Sequence, residues 1–419
     1  MLKVLVIGSG GREHAIVRQF KNSQSVTEVY VAPGNDGMKH DATCLAIKAL
    51  EFEKLASFVR ENGISLTFVG PEQPLAAGIV DYFEAEGLRI FGPTKAAAQI
   101  EGSKSFAKEL MKKYDIPTSD YETFTDVNDA KDYIRKMGAP IVVKADGLAA
   151  GKGVIVAMTL QEALDAVEDM IGNQKFGDSS SRVVIEEFLE GEEFSYMSFV
   201  HNGQIYPMVI AQDHKRAFDG DRGPNTGGMG AYSPVPHISE DVIKQAYNTI
   251  VVPTVEAMTK EGTSFTGILY AGLILTSEGS KVIEFNARFG DPETQVVLPR
   301  MTSDFGDFMT SLMDEQPFEL EWSNKEIVGV VIAANGYPEH VEKGASLPDL
   351  TKLPANLHFF HAGTKEVKGH FVGNGGRVIL VAAQASSLKE AQQQVYDALA
   401  DMKWDGFFYR YDIGWRALT

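Results

Sequence analysis

How the first strand ends restricts this chain more than any other feature. Lys3-Val4-Leu5-Val6-Ile7 is a largely apolar run of strand length, and Gly8-Ser9-Gly10-Gly11-Arg12-Glu13-His14 follows it directly, before residues 15–20 take up helical spacing. Strand, glycine turn and helix in that order predict a parallel α/β sheet, because parallel strands need a crossover between them. A second unit repeats the order: residues 66–69 stop at Gly70-Pro71-Glu72, a helix is expected over 75–86, and residues 90–93 close the region. The loops 8–14, 33–36 and 70–72 then share the carboxyl edge of one sheet, where open α/β sheets bind ligands. Backbone amides and a helix dipole at Gly8, Gly10 and Gly11 suit an anion, although a tight turn without a ligand fits the same residues. Glu72 suits sugar hydroxyls or, equally, the cap of the next helix. A nicotinamide dinucleotide site is not expected, because Glu13 stands where the third glycine is needed and strand 28–32 ends without a ribose carboxylate.

At 419 residues the chain is long enough for two to four domains, and 44% apolar with 23% charged residues fits a soluble globular protein. No apolar run approaches the ~18 residues of a membrane span, and the opening residues leave no room for a signal peptide's apolar region. A single cysteine, Cys44, excludes an intrachain disulfide and a cysteine-rich metal cluster. The expected location is the cytoplasm. A formal charge of −18 opposes general affinity for nucleic acid or anionic membrane, but leaves room for a nucleotide held by a few local cations.

The chemistry-bearing residues lie further along. Val282-Ile283-Glu284-Phe285-Asn286 alternates as a half-buried strand does, which places Glu284 and Asn286 on one face. Both offer hard oxygens of the kind Mg²⁺ or Mn²⁺ takes while it also holds nucleotide phosphates. Arg288 follows as a fixed cation for a carboxylate or phosphate, before Gly290-Asp291-Pro292 turns the chain away. A solvated strand end with an ordinary Glu–Arg pair accounts for the same spacing. Upstream, a helix over 103–114 carries Lys104. Strand 141–144 ends in Lys144 and leads into a hairpin with Gly147, Gly151, Lys152 and Gly153. The hairpin is not a P-loop, since Gly153 replaces the metal-binding Ser/Thr, yet it is flexible enough to close over a triphosphate. Residues 182–195 read as strand, acidic linker and strand, a surface hinge when taken alone. The segment 212–231 has no packing pattern and is either mobile or ordered by a ligand. A composition change near 322–325 suggests a boundary.

In order along the chain, Lys144, the 147–153 hairpin, the 186–193 linker and the Glu284/Asn286 strand resemble the ATP-grasp carboxylate–amine ligases. Gly8-Ser9-Gly10-Gly11-Arg12-Glu13-His14, Gln212-Asp213-His214-Lys215-Arg216, Asn225-Thr226-Gly227-Gly228-Met229-Gly230 and Asn286–Glu293 narrow the resemblance to the branch that makes glycinamide ribonucleotide for purine synthesis. The resemblance implies a doubly wound parallel-sheet domain over 1–103, an ATP-grasp body over 104–326 with a mobile lid at about 118–189, and a small α+β domain over 327–419. It implies ATP, glycine and 5-phosphoribosylamine as substrates, with Mg²⁺ or Mn²⁺; the charge argues for no nucleic acid or membrane partner, and the choice between monomer and dimer is left open. Lys104, Lys144, Gly151, Lys152 and Gly153 would serve the phosphates. Glu186 would meet the adenine amine, the backbone of Glu187 and Leu189 the ring edge, and Glu193 the ribose. Glu284 and Asn286 would hold the metal, but strand 270–275 lacks the further carboxylate many relatives carry there, which leaves one or two ions open. Lys144, Asp213 and Arg288 would act at the reacting groups, with Asp213 and Arg288 on the two ends of glycine. Gly8, Gly10, Gly11, Glu72, Asn225, Thr226, Gly227 and Gly228 would receive phosphoribosylamine. Arg377 would meet its 5′-phosphate, a surface salt bridge being the other reading. Another ATP-grasp enzyme that formylates or carboxylates a purine precursor is the alternative.

Overall fold

A computed structural model describes residues 1–149 and 153–418; Gly151 and Lys152 lie outside the described residues. Five parallel strands open the fold, side by side as Thr43–Cys44, Val26–Pro33, Leu2–Gly8, Leu66–Val69 and Ile90–Phe91. Their buried side chains pack against helices Gly11–Lys21 and Phe52–Asn62, as an all-parallel sheet requires. The single helix expected over 75–86 is two, Glu72–Ala77 and Ile79–Ala85, because Gly78 turns left-handed at φ 91° and ends the first.

Two antiparallel sheets follow. The first orders Tyr121–Phe124, Val183–Glu187, Ile141–Ala145 and Val154–Ala157, and carries helices Val127–Met137 and Leu160–Val167 with their own core. The second orders Gln204–Pro207, Glu192–His201, Gly267–Thr276 and Gly279–Asn286. Where the chain enters the first sheet it is tied to the second, since Val282 N–H donates to Pro117 O (2.8 Å) and Thr118 Oγ1 to Val282 O (2.7 Å). Strand Gly279–Asn286 is not the regular alternation expected. Gly272 pairs with Glu284 but Leu273 with Val282, so Ile283 is an extra residue and the strand bulges beside the predicted metal ligands.

The last sheet runs Gln212–Asp213, Gly230–Ser233, Glu326–Ala334, Arg377–Ala385 and Leu357–His361, with helix Leu388–Ala400 against it. Two of its strands come from the middle of the chain, so the segment after residue 326 is stitched into what precedes it.

Aromatic packing locks the N-terminal sheet to the second antiparallel sheet. The Phe199 ring centroid lies 4.8 Å from that of Phe308, 5.7 Å from Phe289, 6.0 Å from Phe305 and 6.4 Å from Phe91. Phe199 is fully buried. Replacing it with alanine leaves a cavity where these elements meet, and should lower stability by about 3–5 kcal/mol. A shift of the urea midpoint measures this, and an unchanged midpoint would remove Phe199 from the core.

Candidate active site

Strand Ile141–Ala145 carries Lys144 across to the second antiparallel sheet. Lys144 Nζ donates to Ile283 O (2.9 Å), next to Glu284, and stands 2.9 Å from Glu186 Oε1. Lys104 opens helix Lys104–Lys113, which Ser103 caps, and its Nζ donates to Gly147 O (3.3 Å). Burial pushes the Lys104 ammonium below its usual range, with the charge of Glu284 opposing the shift and that of Lys144 adding to it. Glu186 is buried. Burial works to raise its carboxyl, and Lys144 and Lys108 outweigh that and hold it low. The Glu187 side chain is exposed and its N–H already donates to Asp120 O (2.9 Å), so what its backbone offers a base is the carbonyl. Leu189 lies half-buried in the linker to strand Glu192–His201. Glu193 accepts from Lys215 Nζ (2.8 Å).

The second cluster forms where the three sheets meet. At Gly8 (φ 128°) a Cβ would run into the Glu13 side chain, which folds under the turn; its Oε2 accepts from Gly10 N–H (2.6 Å) and its Oε1 from Arg12 Nε (2.5 Å). Only glycine fits such a position. Arg12 also donates to Phe289 O (3.1 Å). Gly11 packs on Gln295, whose amide donates to Asp291 Oδ1 (2.7 Å). Arg288 is held between Glu101 (2.8 Å), Glu72 (3.3 Å) and Asn286 Oδ1 (3.1 Å). Its own burial works against the charge, but Glu101 and Glu72 prevail and hold the guanidinium above its ordinary range. Arg377 donates to Gly227 O and Asp291 O (both 2.6 Å) and pairs with the Asp291 carboxylate (3.1 Å). Thr226 is anchored to Lys215 O (2.8 Å), Asn225 ends the strand before it, and Gly228 (φ 114°) lies against Pro292 where no Cβ fits. The turn at Gly8, Gly10 and Gly11, Glu72, residues 225–228, Arg288 and Arg377 therefore come together. Arg377 forms a salt bridge with Asp291.

Asp213 links the two clusters. It shares a cleft with Glu193, Lys215, Tyr270 and Glu284. Burial pushes its carboxyl up to about 7, with Glu293 and Glu193 adding to the shift and Lys215 opposing it. Glu101 and Lys108 escaped the sequence reading, while Asp291, Lys215 and the buried Tyr270–Glu293 pair, joined at 2.5 Å, lay within segments it quoted but received no role there. Among the described residues no three or more His, Cys, Asp or Glu are grouped to hold a metal ion. A cation here needs oxygens from a ligand besides Glu284 and Asn286, and Asn286 Oδ1 keeps one lone pair beyond the bond from Arg288.

The raised Asp213 carboxyl sets a stability test. The folded chain keeps this proton up to about pH 7, whereas an unfolded aspartate loses it near pH 4. The stabilisation is thus complete below about pH 4 and lost as pH rises through about 7. Asp213→Asn removes the group. The melting temperature of D213N minus that of the parent should rise between pH 5 and pH 8, and a flat difference would contradict the assignment.

Comparison with known proteins follows the same geography. Profiles of the phosphoribosylglycinamide synthetase N domain, ATP-grasp (A) domain and C domain match residues 2–101, 102–294 and 327–416. The phosphoribosylamine–glycine ligase of Halalkalibacterium halodurans is 60% identical over 418 residues, covering 100% of this chain and 98% of the relative. That of Streptococcus pneumoniae is 53% identical over 421 residues, covering 100% of both. The crystal structure of the Thermotoga maritima phosphoribosylamine–glycine ligase superposes with a TM-score of 0.85 at 34% identity, over 98% of this chain and 100% of that one. Matched from end to end in sequence, and in fold on both sides of the cleft, the chain belongs to the phosphoribosylglycinamide synthetase family.

Proposed function

We propose that the reaction runs between the two clusters, with nucleotide on the Lys104–Lys144–Glu186 side and amino acid and phosphoribosylamine on the Gly8–Arg288–Arg377 side. The chain is an ADP-forming carbon–nitrogen ligase of purine biosynthesis. It joins glycine to 5-phosphoribosylamine at the expense of ATP, giving glycinamide ribonucleotide, ADP and phosphate. The observation that carries the placement is Lys144 Nζ on Ile283 O, which brings a phosphate-binding lysine to the strand bearing Glu284 and Asn286.

A glycine carboxylate oxygen attacks the γ-phosphorus of ATP, the bond to the β-phosphate oxygen breaks, and glycyl phosphate and ADP form. Lys104 and Lys144 neutralise charge on the phosphoryl oxygens. The family uses a divalent metal with its ATP; Glu284 and Asn286 would hold one here, Mg²⁺ or Mn²⁺ by their hard oxygens, and bound there it adds positive charge at the terminal phosphates. Arg288 orients the glycine carboxylate, its guanidinium being held for this by Glu72 and Glu101. Asp213 takes the ammonium end and gives up its proton as that charge arrives. The amine of phosphoribosylamine then attacks the acyl carbon, phosphate leaves and the amide forms. Acyl phosphates hydrolyse, so the 147–153 hairpin must exclude water until the amine is seated. The Gly8–Gly11 turn, Glu72 and the Asn225–Gly228 segment seat phosphoribosylamine, and Arg377, already on Gly227 and Asp291, shapes that segment. The three matched regions act as N-terminal, ATP-grasp and C-terminal domains, the second with a lid at about 118–189. No helix among the described residues is long and apolar enough to cross a membrane. A chain with one cysteine and small cytosolic substrates works in the cytoplasm.

ADP release with glycine and freshly generated phosphoribosylamine, each omitted in turn, tests the scheme, since turnover should require both. Glu284→Ala should cut turnover by about a hundredfold or more, and near-normal turnover would remove the metal assignment. Arg288→Ala should raise KM for glycine while KM for ATP stays within about twofold. Equal loss of both would mean that the amino acid sits elsewhere.

A further inference from the structure

Two lysines serve one carboxylate, and they do so differently. Glu186 Oε2 accepts from Ser119 Oγ (2.9 Å) and lies 2.9 Å from Lys108 Nζ. Lys108 Nζ also donates to Ser119 Oγ (2.7 Å) and Thr118 Oγ1 (2.8 Å). An ammonium has three protons, so Lys108 is fully committed to protein and cannot serve phosphate. Lys108 and Glu186 are both nearly inaccessible, at 2% and 4% exposure. The other oxygen, Oε1, is buried and faces Lys144 at 2.9 Å without hydrogen-bond geometry, so its lone pairs are unspent. Lys144 has other work, because in the proposed complex its charge belongs to the phosphates.

From this arrangement we infer that Lys108 sets base specificity: it fixes Glu186 as a pure hydrogen-bond acceptor, so the site takes a purine offering an exocyclic amine and rejects one offering a carbonyl oxygen. This rests on the reading that Glu186 meets the adenine amine. An ionised carboxylate only accepts, whereas a protonated one also donates. A carboxyl this deeply buried takes up a proton near neutrality unless a cation stays beside it. Once Lys144 is shared with phosphate, Lys108 is the cation that stays. Burial pushes Lys108 down to about 8 against the pull of Glu186, which still leaves it charged at neutral pH. Without it, the protonated Glu186 pairs with a guanine or hypoxanthine carbonyl as readily as with an amine. A site built to satisfy one hydrogen-bonding pattern discriminates by leaving the wrong pattern unpaired.

The test compares kcat/KM for ATP and GTP, at saturating glycine and fresh phosphoribosylamine, in the parent, Lys108→Gln, Lys108→Arg and Glu186→Gln. Lys108→Gln keeps a donor for Ser119 and Thr118 and drops the charge. It should lower the ATP-to-GTP ratio about tenfold or more, and Lys108→Arg should restore most of it. A purely structural lysine would weaken both nucleotides alike and leave the ratio within about twofold, which would overturn the inference. Glu186→Gln separates the two layers. If it leaves the ratio unchanged, the adenine placement itself fails; if it shifts the ratio and Lys108→Gln does not, only the role of Lys108 fails. Should Lys108→Gln not fold, Lys108→Met is added to Glu186→Gln, which removes both charges together. In that background the ratio should not move further, and an independent shift would show that Lys108 does not act through Glu186.

Discussion

The half-buried charge of Arg288 ties together the side of the site nearest the parallel sheet. A guanidinium taken out of water costs several kcal/mol unless carboxylates close around it. The two that do so come from far away in sequence: Glu72 begins a helix of the N-terminal domain, and Glu101 lies in helix Gln99–Gly102 just before the body. Asn286, at the end of the bulged strand, takes a third bond. Satisfying one cation therefore fixes the loops of the parallel sheet relative to the strand that bears Glu284. Arg12 repeats the device from the other side, reaching Glu13 and the carbonyl of Phe289. Because Glu13 fills the space beneath the glycine turn, the turn is rigid before any ligand arrives. What this half of the cleft presents is geometry already fixed.

The nucleotide half works on the opposite principle. Lys104 and Lys144 rest on backbone carbonyls, of Gly147 and Ile283, which a triphosphate can replace with more strongly charged acceptors. Their burial makes such replacement favourable, because a partly desolvated ammonium gains more from an anion than from a neutral carbonyl. Glu186, by contrast, is fixed through Lys108 and Ser119 and does not depend on the lysine that has to move. In the proposed complex, recognition of the base and attraction of the phosphates thus fall to different cations, Lys108 on its helix and Lys144 on the neighbouring strand.

What the sequence discloses follows from range. The glycine turn, Lys144 at its strand end and the Glu284/Asn286 pair were legible because each signal lies within one element: a turn composition, a strand terminus, a period of two. The parallel sheet was legible for the same reason. Glu101 and Lys108 were not. Lys108 is one turn beyond Lys104 on an amphipathic helix, a spacing shared by any pair of surface lysines, and its partners lie in Thr118, Ser119 and Glu186. Glu101 is marked only by Arg288 and Ala287, 187 and 186 residues later. The bulge at Ile283 escaped because it arises from pairing with Gly272 across the sheet, not from the strand's own pattern. Gly78, the break between two short helices, was in plain view but sat inside an otherwise acceptable helical period.

Folding the C-terminal segment into the middle of the chain answers a difficulty of the loop proposed to seat phosphoribosylamine. Residues 222–227 contribute no buried side chain, so apolar packing does little to hold them in place. Hydrogen bonds hold the hairpin and the residues after it instead, among them those of two arginines from the C-terminal segment. Arg410, fully buried, takes both oxygens of Asp412 (2.7 and 2.8 Å) and reaches Asp221 (2.9 Å) and the carbonyl of Arg216 (3.0 Å), pinning the hairpin at its base. Arg377 grips the other side through Gly227 O and Asp291. Directional bonds of this kind position a polar loop without filling it with hydrophobic bulk. Asp291 then has a structural meaning beyond its own neighbourhood, because it couples the loop, through Arg377, to the same turn that delivers Arg288.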